Sequence, residues 1–295
     1  KLRASAFVEL NASSVLATVY GPEHAALVQR WQGHRLLGVD SSLVRLPNSA
    51  AVGKVFGWVQ CANHHGPLER YPQARVSVLY DLLNQVGLEG RLAASPVAET
   101  ELAHQHLTAV QPGDVLLNDR GYTGYRWLVA VRAAQAHFVS RCSRGSFAAV
   151  QQLFARDAAD VSVVVTLAAP PEVRAECRER GWPLALTVRL VTVRLKSGEL
   201  EVLATSLLDQ TTYPTAAFGP VYWQRWGHET YYGRLKGRLD LEHCSGQTVE
   251  AVEQDFHATM LLSNVESVVV GPAQAQLAER TAERQHKAQV NRAVS

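Results

Sequence analysis

The chain has 295 residues, of which 47% are hydrophobic and 19% are charged, and its formal net charge is +2. These values are typical of a globular protein of one or two domains. They exclude DNA binding through the overall electric field, so any DNA contact requires local clusters of positive charge. No apolar run approaches the roughly 18 residues of a transmembrane helix, and the N-terminal residues lack the apolar core of a signal peptide. We therefore expect no membrane partner.

The four cysteines are widely spaced, and no C-x-x-C pair occurs: Cys61, Cys142, Cys177 and Cys244. This spacing excludes a zinc ribbon. It favours reduced thiols in a cytosolic protein.

Apolar periodicity and turn residues predict an alternation of helices and strands in the first half of the chain. The segment 1–35 is expected to be helical, and a short apolar strand at 36–39 follows it. The elements predicted after that are strands at 55–61 and 74–80, a helix at 95–110, a strand at 115–117, a helix at 125–136 and a strand at 137–141.

An aspartate stands at the end of two of these short apolar strands. Asp40 follows the strand at 36–39, and Asp119 follows the strand at 115–117 after one asparagine. We expect these two strands to be neighbours at the centre of a mixed α/β layer, where functional groups lie at strand ends. Taken singly, each aspartate is weak evidence, since aspartate is also a common turn residue.

The segment 142–217 has a different character, with strands predicted at 161–167, 184–195 and 200–207. We interpret it as a β-rich insertion into the preceding layer. Arg189 and Arg194 are an odd number of residues apart, so a regular strand places them on opposite faces. The sequence therefore establishes no basic stripe along this strand.

The stretch 220–237, PVYWQRWGHETYYGRLKG, is predicted to be one helix, with proline suited to its start and glycine to its end. At about 100° per residue, one narrow face of it carries Tyr222, Arg225, Glu229 and Lys236. A phenol, a guanidinium and an ammonium around one carboxylate suit a metal ion and phosphate groups. The alternative is a solvated helix face with ordinary ion pairs.

Four aromatic residues in the same stretch predict that its other sides are packed: Trp223, Trp226, Tyr231 and Tyr232. A second long helix is predicted at 249–269. For the polar residues that follow, a helix is the only regular structure that we expect.

Three carboxylates thus stand out: Asp40, Asp119 and Glu229. If they converge they repel one another, and two Mg²⁺ ions would neutralise them. Two metal ions close together are a common device for displacement at phosphorus.

The spacing Tyr-x2-Arg-x3-Glu-x6-Lys in the stretch 220–237 resembles the signature of DDE transposases of the insertion-sequence-four family. Similar text surrounds both aspartates, VDSSLVRLPNS near Asp40 and VLLNDRGYTGY near Asp119. The resemblance covers most of the chain. It implies an α/β fold with a ribonuclease H-like mixed sheet flanked by helices and a β-rich insertion before the last catalytic helix.

The resemblance also implies roles for the six residues. Asp40, Asp119 and Glu229 would be catalytic ligands of two Mg²⁺ or Mn²⁺ ions. Phosphates of the transposon end would be held by three further residues, Tyr222, Arg225 and Lys236.

The implied partners are double-stranded DNA, as terminal inverted repeats and as target, and a second copy of the chain in a homodimer. The implied location is the bacterial cytoplasm, at the nucleoid. Relatives can excise DNA through a hairpin with a flipped base; Trp182 is a candidate to stack on such a base, although a core tryptophan is the commoner case.

The expected domain division has four parts: a helical segment at 1–35, a ribonuclease H-like catalytic core at 36–141 and 218–270, the β-rich insertion at 142–217, and a helical tail at 271–295. Family members usually carry an N-terminal domain that binds the terminal repeats. This sequence begins with lysine and shows no such domain, so we expect part of a longer chain.

Two alternatives to the transposase hypothesis stay open. One is a truncated or degenerate non-catalytic regulator that binds DNA, and the other is a stand-alone metal-dependent nuclease of the same fold.

Overall fold

The computed structural model describes residues 3–61, 69–280 and 290 of the chain. Strands in these ranges are β1 (Leu36–Arg45), β2 (Trp58–Cys61), β3 (Glu69–Asp81), β4 (Val86–Ala94), β5 (Val115–Asn118), β6 (His137–Arg141), β7 (Ser162–Ala168), β8 (Ala185–Arg194) and β9 (Leu200–Thr205). The α-helices are α1 (Ala4–Leu10), α2 (Ala17–Tyr20), α3 (Ala50–Phe56), α4 (Glu99–His106), α5 (Tyr125–Ala133), α6 (Ala148–Arg156), α7 (Pro171–Arg180), α8 (Phe218–Trp223), α9 (Trp226–Gly237) and α10 (Val249–Arg280).

The chain divides into two compact units. The first unit lies within 1–29, 41–97 and 229–295, and the second within 30–40 and 98–228. Strand β1 therefore contributes its first half to the second unit and its second half to the first. The predicted domain boundaries stay a prediction.

The second unit is built on strands in the order β1-β5-β6-β9-β8-β7. β1, β5 and β6 are parallel, and the remaining pairs are antiparallel. All four residues of β5 are buried, as expected for a parallel strand covered on both faces. Helix α5 packs against β6 and buries Trp127 and Leu128. The predicted mixed sheet flanked by helices is confirmed, including the adjacency of β1 and β5.

A buried arginine holds the segment that leads into α8. Arg189 on β8 is fully buried, and its guanidinium donates to Ser162 Oγ at 2.6 Å, to the Tyr213 carbonyl at 2.6 Å and to Thr215 Oγ1 at 3.1 Å. Arg194, on the same strand, is exposed and pairs with Asp157. The two arginines therefore have different environments, as expected for residues on opposite faces of a strand.

In the first unit, β3 lies next to β1 and pairs antiparallel with both β2 and β4. Helix α10 packs on β4, where a Cβ at Gly90 would lie 2.6 Å from Met260 Sδ. The Asn264 side chain bonds both backbone groups of Gly87, accepting from its N–H at 2.7 Å and donating to its carbonyl at 2.8 Å. These contacts fix the long C-terminal helix against the strand.

Several predicted elements need correction. The helical prediction for 1–35 holds only as far as a 3₁₀ turn at Pro22–Leu27; a turn with positive φ at Gln32 and Gly33 then joins Trp31 to His34. The strand predicted at 55–61 begins only at Trp58, since Ser49 caps α3 through a hydrogen bond from the Val52 N–H.

Four elements were missed altogether: α3, α6, α7 and β4. Strand β4, VGLEGRLAA, has a single β-branched residue and two glycines, so its sequence gives little strand signal. It forms because β3 provides an antiparallel partner along its length.

The helix α10 continues through residue 280, into the segment predicted as a tail. Of the remaining residues of that segment, only 290 lies within the described part of the chain. Among the described helices, none has the length and apolar character needed to cross a bilayer.

Candidate active site

Asp40 and Asp119 each follow the paired stretch of two neighbouring parallel strands by two residues. The register pairs Leu36 with Val115 and Gly38 with Leu117. Continued by two residues, it sets Asp40 beside Asp119. Adjacent strands are about 4.8 Å apart, and residues in register point to the same face of a sheet. Extended in this way past the paired stretch, the register would put both carboxylates on one face of the sheet in the second unit. The predicted adjacency of the two strands is confirmed, and the joint role of the two aspartates stays a prediction.

Asp40 does not end its strand, contrary to the sequence prediction. β1 continues for five more residues to Arg45 because its second half lies beside β3 in the first unit. There, the Arg75 guanidinium donates to Ser41 Oγ at 2.8 Å. Asp40 is half-buried in mid-strand.

Asp119 does follow the last residue of β5, and its backbone starts a 3₁₀ turn. Its carbonyl accepts from the Tyr122 N–H at 3.0 Å, while its side chain makes no capping bond. The carboxylate oxygen Oδ1 is buried and has no hydrogen-bond partner among the residues that the structure describes. A buried carboxylate oxygen without a donor is costly unless a cation faces it. This chemistry fits a divalent metal ion, since hard cations prefer carboxylate ligands.

Tyr222 lies against the end of β5. Its side chain is buried, and its hydroxyl donates to the carbonyl of Asn118 at 3.2 Å. Burial is the largest cause that raises the pKa of this phenol; Arg225 opposes the rise, and Asp119 adds to it. The phenol therefore stays protonated and holds α8 to the residue that precedes Asp119.

Arg225 is also buried, and its guanidinium lies 5.9 Å from the Tyr222 ring centroid and 5.2 Å from that of Trp226. The neighbouring His228 is 1% exposed. Burial, followed by the charge of Arg225, lowers the pKa of His228 to about 3. His228 is therefore neutral at physiological pH, and Arg225 keeps the local positive charge.

The predicted single helix at 220–237 is wrong, because a two-residue turn separates α8 from α9. The Arg225 N–H bonds the Tyr222 carbonyl, and the His228 N–H bonds the Arg225 carbonyl, both three residues back. Such i→i−3 bonds tighten the chain to about three residues per turn. Tyr222 and Arg225 stay on one side of that turn, but the angular relation computed for an unbroken helix does not apply.

Glu229 and Lys236 belong to α9 and to the first unit. Seven residues apart in one helix, they share a face of it. Lys236 Nζ donates to the carbonyl of Leu43 at 2.6 Å, on the second half of β1. Within the described ranges, no three His, Cys, Asp or Glu side chains are grouped so that they could hold a metal ion.

The aromatic residues of the 220–237 stretch divide into two pairs. Tyr231 and Tyr232 are buried, as predicted, whereas Trp223 and Trp226 are 64% and 46% exposed. The two indoles contact each other, with ring centroids 5.9 Å apart. Trp182 is half-buried with the Arg180 guanidinium 5.0 Å from its ring, so it is not a core tryptophan.

Sequence reasoning missed Arg141, which ends β6. The register pairs Asn118 with Ser140, so its continuation sets Arg141 beside Asp119. Extended past the paired stretches, the two registers would set Asp40, Asp119 and Arg141 in one row. Arg141 was already the last residue of the predicted strand at 137–141. Its place in the row depends on the pairing register, which hydrophobic periodicity does not give.

Comparison with known proteins decides the family. A family model described as the transposase DDE domain matches residues 31–265. The chain belongs to this family. The resemblance to transposases of insertion sequences is confirmed.

One relative and one solved structure illustrate what this transposase DDE chain is similar to. It is 25% identical over 243 residues to the transposase InsG for insertion sequence element IS4 of Escherichia coli strain K12, covering 80% of this chain and 52% of the relative. It is also similar, with a TM-score of 0.49 and 10% identity, to a cryo-EM structure of the piggyBac transposase synaptic complex with hairpin DNA, covering 96% of this chain and 56% of that chain. The chain therefore spans about half the length of each of these two proteins.

Proposed function

We propose that this chain is the catalytic part of a cut-and-paste DNA transposase, which hydrolyses phosphodiester bonds at insertion-sequence ends and joins the freed 3′ ends to target DNA. Membership of the transposase DDE family supports this proposal. One structural observation carries it: the buried, unpartnered Oδ1 of Asp119, on a residue that follows the paired stretch of β1 and β5 by two residues, as Asp40 does. Two adjacent carboxylates of this kind repel each other, and a divalent cation offsets the repulsion.

Asp40 and Asp119 would hold Mg²⁺ or Mn²⁺, with Glu229 as the third ligand for two ions. The first two assignments are supported by the shared strand register. The third rests on the spacing of the signature, in which Glu229 follows Arg225 by four residues. When bound, such ions supply Lewis-acid activation of the attacking oxygen and neutralise charge at phosphorus.

The other signature residues would position the DNA. Arg225, a buried guanidinium, would donate to phosphate oxygens in a fork geometry, and Lys236 would add a point charge. Tyr222 would support the site structurally, since its hydroxyl already donates a hydrogen bond to the Asn118 carbonyl. It would thereby keep the end of β5, and with it Asp119, in place.

The remaining features of the proposal come from the family resemblance. The catalytic part would have a ribonuclease H-like core with its β-rich insertion. It would act as a homodimer on double-stranded DNA, on terminal inverted repeats and on target, in the bacterial cytoplasm at the nucleoid.

The test is a nicking assay on supercoiled plasmid with Mg²⁺ or Mn²⁺, using wild type, Asp119→Asn and the control Asp160→Asn. Asp160 is exposed and has a φ of 58°, which asparagine adopts readily, so the control removes the same charge without strain. We expect nicking by wild type and control, and a loss of at least 100-fold in Asp119→Asn. Equal activity of all three proteins would contradict the proposal.

The same assay separates the alternatives. Addition of labelled donor DNA with a free 3′ end yields joined products if the chain is a transposase. Cutting without joining would indicate a nuclease, and DNA binding without cutting would indicate a non-catalytic regulator.

A further inference from the structure

A cavity of about 520 Å³ opens in the second unit beside the proposed site. Its charged lining consists of three arginines, Arg120, Arg141 and Arg144, and three carboxylates, Asp157, Glu199 and Glu201. Asp157 forms an ion pair with Arg194, which does not line the cavity. Arg120 follows Asp119 directly in sequence, and Arg141 lies beside Asp119 by strand register. The cavity therefore begins one strand away from the carboxylate pair, and none of its arginines belongs to the Tyr-Arg-Glu-Lys signature.

One arginine of the cavity is fixed by a buried carboxylate. Arg141 contacts Glu201 at 2.6 Å, and Glu201 is only 5% exposed. Burial raises the pKa of Glu201, and the charge of Arg141 opposes that rise. The pair holds the Arg141 guanidinium in one orientation and leaves its other donors available to the cavity.

A second carboxylate bridges two of the arginines loosely. Oε1 of Glu199 lies 3.7 Å from Nη2 of Arg141 and 4.0 Å from Nη2 of Arg120. Charge-assisted hydrogen bonds are about 2.7–2.9 Å long, so neither contact is close. The Glu199 side chain is 61% exposed, and exposed ion pairs contribute little to stability. An incoming anion could displace this carboxylate at low cost.

The third arginine carries the remaining positive charge. The Arg144 guanidinium lies 4.6 Å from the centroid of the Phe154 ring, which supports it from one side. In the described part of the chain, no carboxylate forms an ion pair with Arg144. The cavity thus offers, among the described residues, one guanidinium without an ion pair beside two others that share a displaceable carboxylate.

We propose that this cavity binds a DNA backbone phosphate next to the one at Asp119, and that the Glu199 carboxylate occupies the phosphate position until DNA binds. Carboxylate and phosphate oxygens match the same guanidinium fork, which makes the exchange possible. The inference rests on the proposed function, because it takes the ligand to be DNA.

The experiment measures affinity for a labelled 30-bp duplex by fluorescence anisotropy, without metal so that no cleavage occurs. Glu199→Gln removes the competing carboxylate and is expected to tighten binding 3- to 10-fold. Arg144→Gln is expected to weaken binding at least 5-fold and to reduce the slope of log affinity against log salt by about 0.9, the value for one lost phosphate contact. Arg144→Lys should restore part of the affinity.

Matched controls come from α7, where Glu172 and Arg178 are exposed and have no recorded ion pair among the described residues. Glu172→Gln and Arg178→Gln make the same charge changes away from the cavity and are expected to alter affinity less than 2-fold. Circular dichroism checks that every variant is folded.

Four outcomes are informative. Opposite shifts in Glu199→Gln and Arg144→Gln, beyond their controls, support the inference. If wild type binds DNA but both variants match their controls, the inference fails while the proposed function stands. If wild type binds no DNA, both fail. Thermal stabilisation of wild type by inorganic phosphate, with unchanged DNA affinity in both variants, assigns the cavity to a free anion and contradicts the inference.

Discussion

At the residue scale, Tyr222 provides a direct test of how the end of β5 is held. Its buried hydroxyl donates to the Asn118 carbonyl at 3.2 Å. Tyr222→Phe removes this hydrogen bond and leaves a buried carbonyl with one donor fewer. We expect a loss of about 1 kcal/mol in the free energy of unfolding, measured by urea denaturation.

Tyr71→Phe is the matched control for that measurement. Tyr71 is half-buried, and its ring contacts the Arg45 guanidinium, with no recorded hydrogen bond from its hydroxyl among the described residues. Its substitution is expected to change stability by less than about 0.5 kcal/mol. Equal effects of the two substitutions would show that the Tyr222 hydroxyl does not stabilise this contact.

Single residues of the site differ in how well the sequence predicts them. Asp40 and Asp119 could be identified because each follows a short apolar run, and the parallel register then places them together. The lack of a hydrogen-bond partner at Asp119 Oδ1 could not be predicted, since it depends on which donors the folded chain brings near that atom. Arg141 was missed because its place in the row depends on strand register.

At the scale of the elements, Arg189 on β8 holds the segment that precedes α8. Arg189→Met keeps much of the side-chain volume but leaves Ser162 and the Tyr213 carbonyl without their donor. We expect a loss of about 2–4 kcal/mol in the free energy of unfolding, because buried polar groups without partners are costly.

The control for Arg189 is Arg194→Met on the same strand. Arg194 is exposed, so the loss of its pair with Asp157 is expected to cost less than about 1 kcal/mol. Differential scanning calorimetry of both variants checks the difference. Similar melting temperatures for the two would contradict the structural role of Arg189.

The start of β6 predicts a sensitivity to acid. Burial, with the nearby charge of Arg132 and the ring of His34, lowers the pKa of His137 from 6.5 to about 4. The unfolded chain therefore binds more protons than the folded protein between these values. Stability from this group is present above about pH 6.5 and is lost as the pH falls to about 4.

The measurement is urea denaturation at several pH values from 4 to 7, for wild type, His137→Gln and the exposed control His243→Gln. Glutamine can accept a hydrogen bond in place of the imidazole but does not titrate. We expect the slope of the free energy of unfolding against pH to decrease only in His137→Gln, by up to the equivalent of about one bound proton. Unchanged dependence in His137→Gln would show that His137 does not cause the acid sensitivity.

Elements were predicted from sequence where periodicity was strong and missed where tertiary contacts decide. The short apolar strands β5 and β6 were correct in position. Strand β4 was missed because it depends on pairing with β3, and the break between α8 and α9 was missed because i→i−3 bonds leave no signature in helical periodicity.

At the scale of the whole molecule, the mixed α/β architecture and the transposase DDE family follow from the chain itself. The family could be predicted because its four-residue signature and both aspartates are intact in the sequence. The division into two compact units could not, because two of its four boundaries fall inside continuous elements, between residues 40 and 41 of β1 and between 228 and 229 of α9. Hydrophobic patterns do not change at such positions.

The most direct test of the central claim, that Asp40 and Asp119 form a divalent metal site, is calorimetric titration of Mn²⁺ into metal-free protein. Wild type, Asp119→Asn and the control Asp160→Asn are compared at pH 7, with and without a short duplex. We expect binding by wild type and control, and at least 10-fold weaker or no binding by Asp119→Asn. Equal binding by all three proteins, or none by any of them even with the duplex present, would contradict this claim.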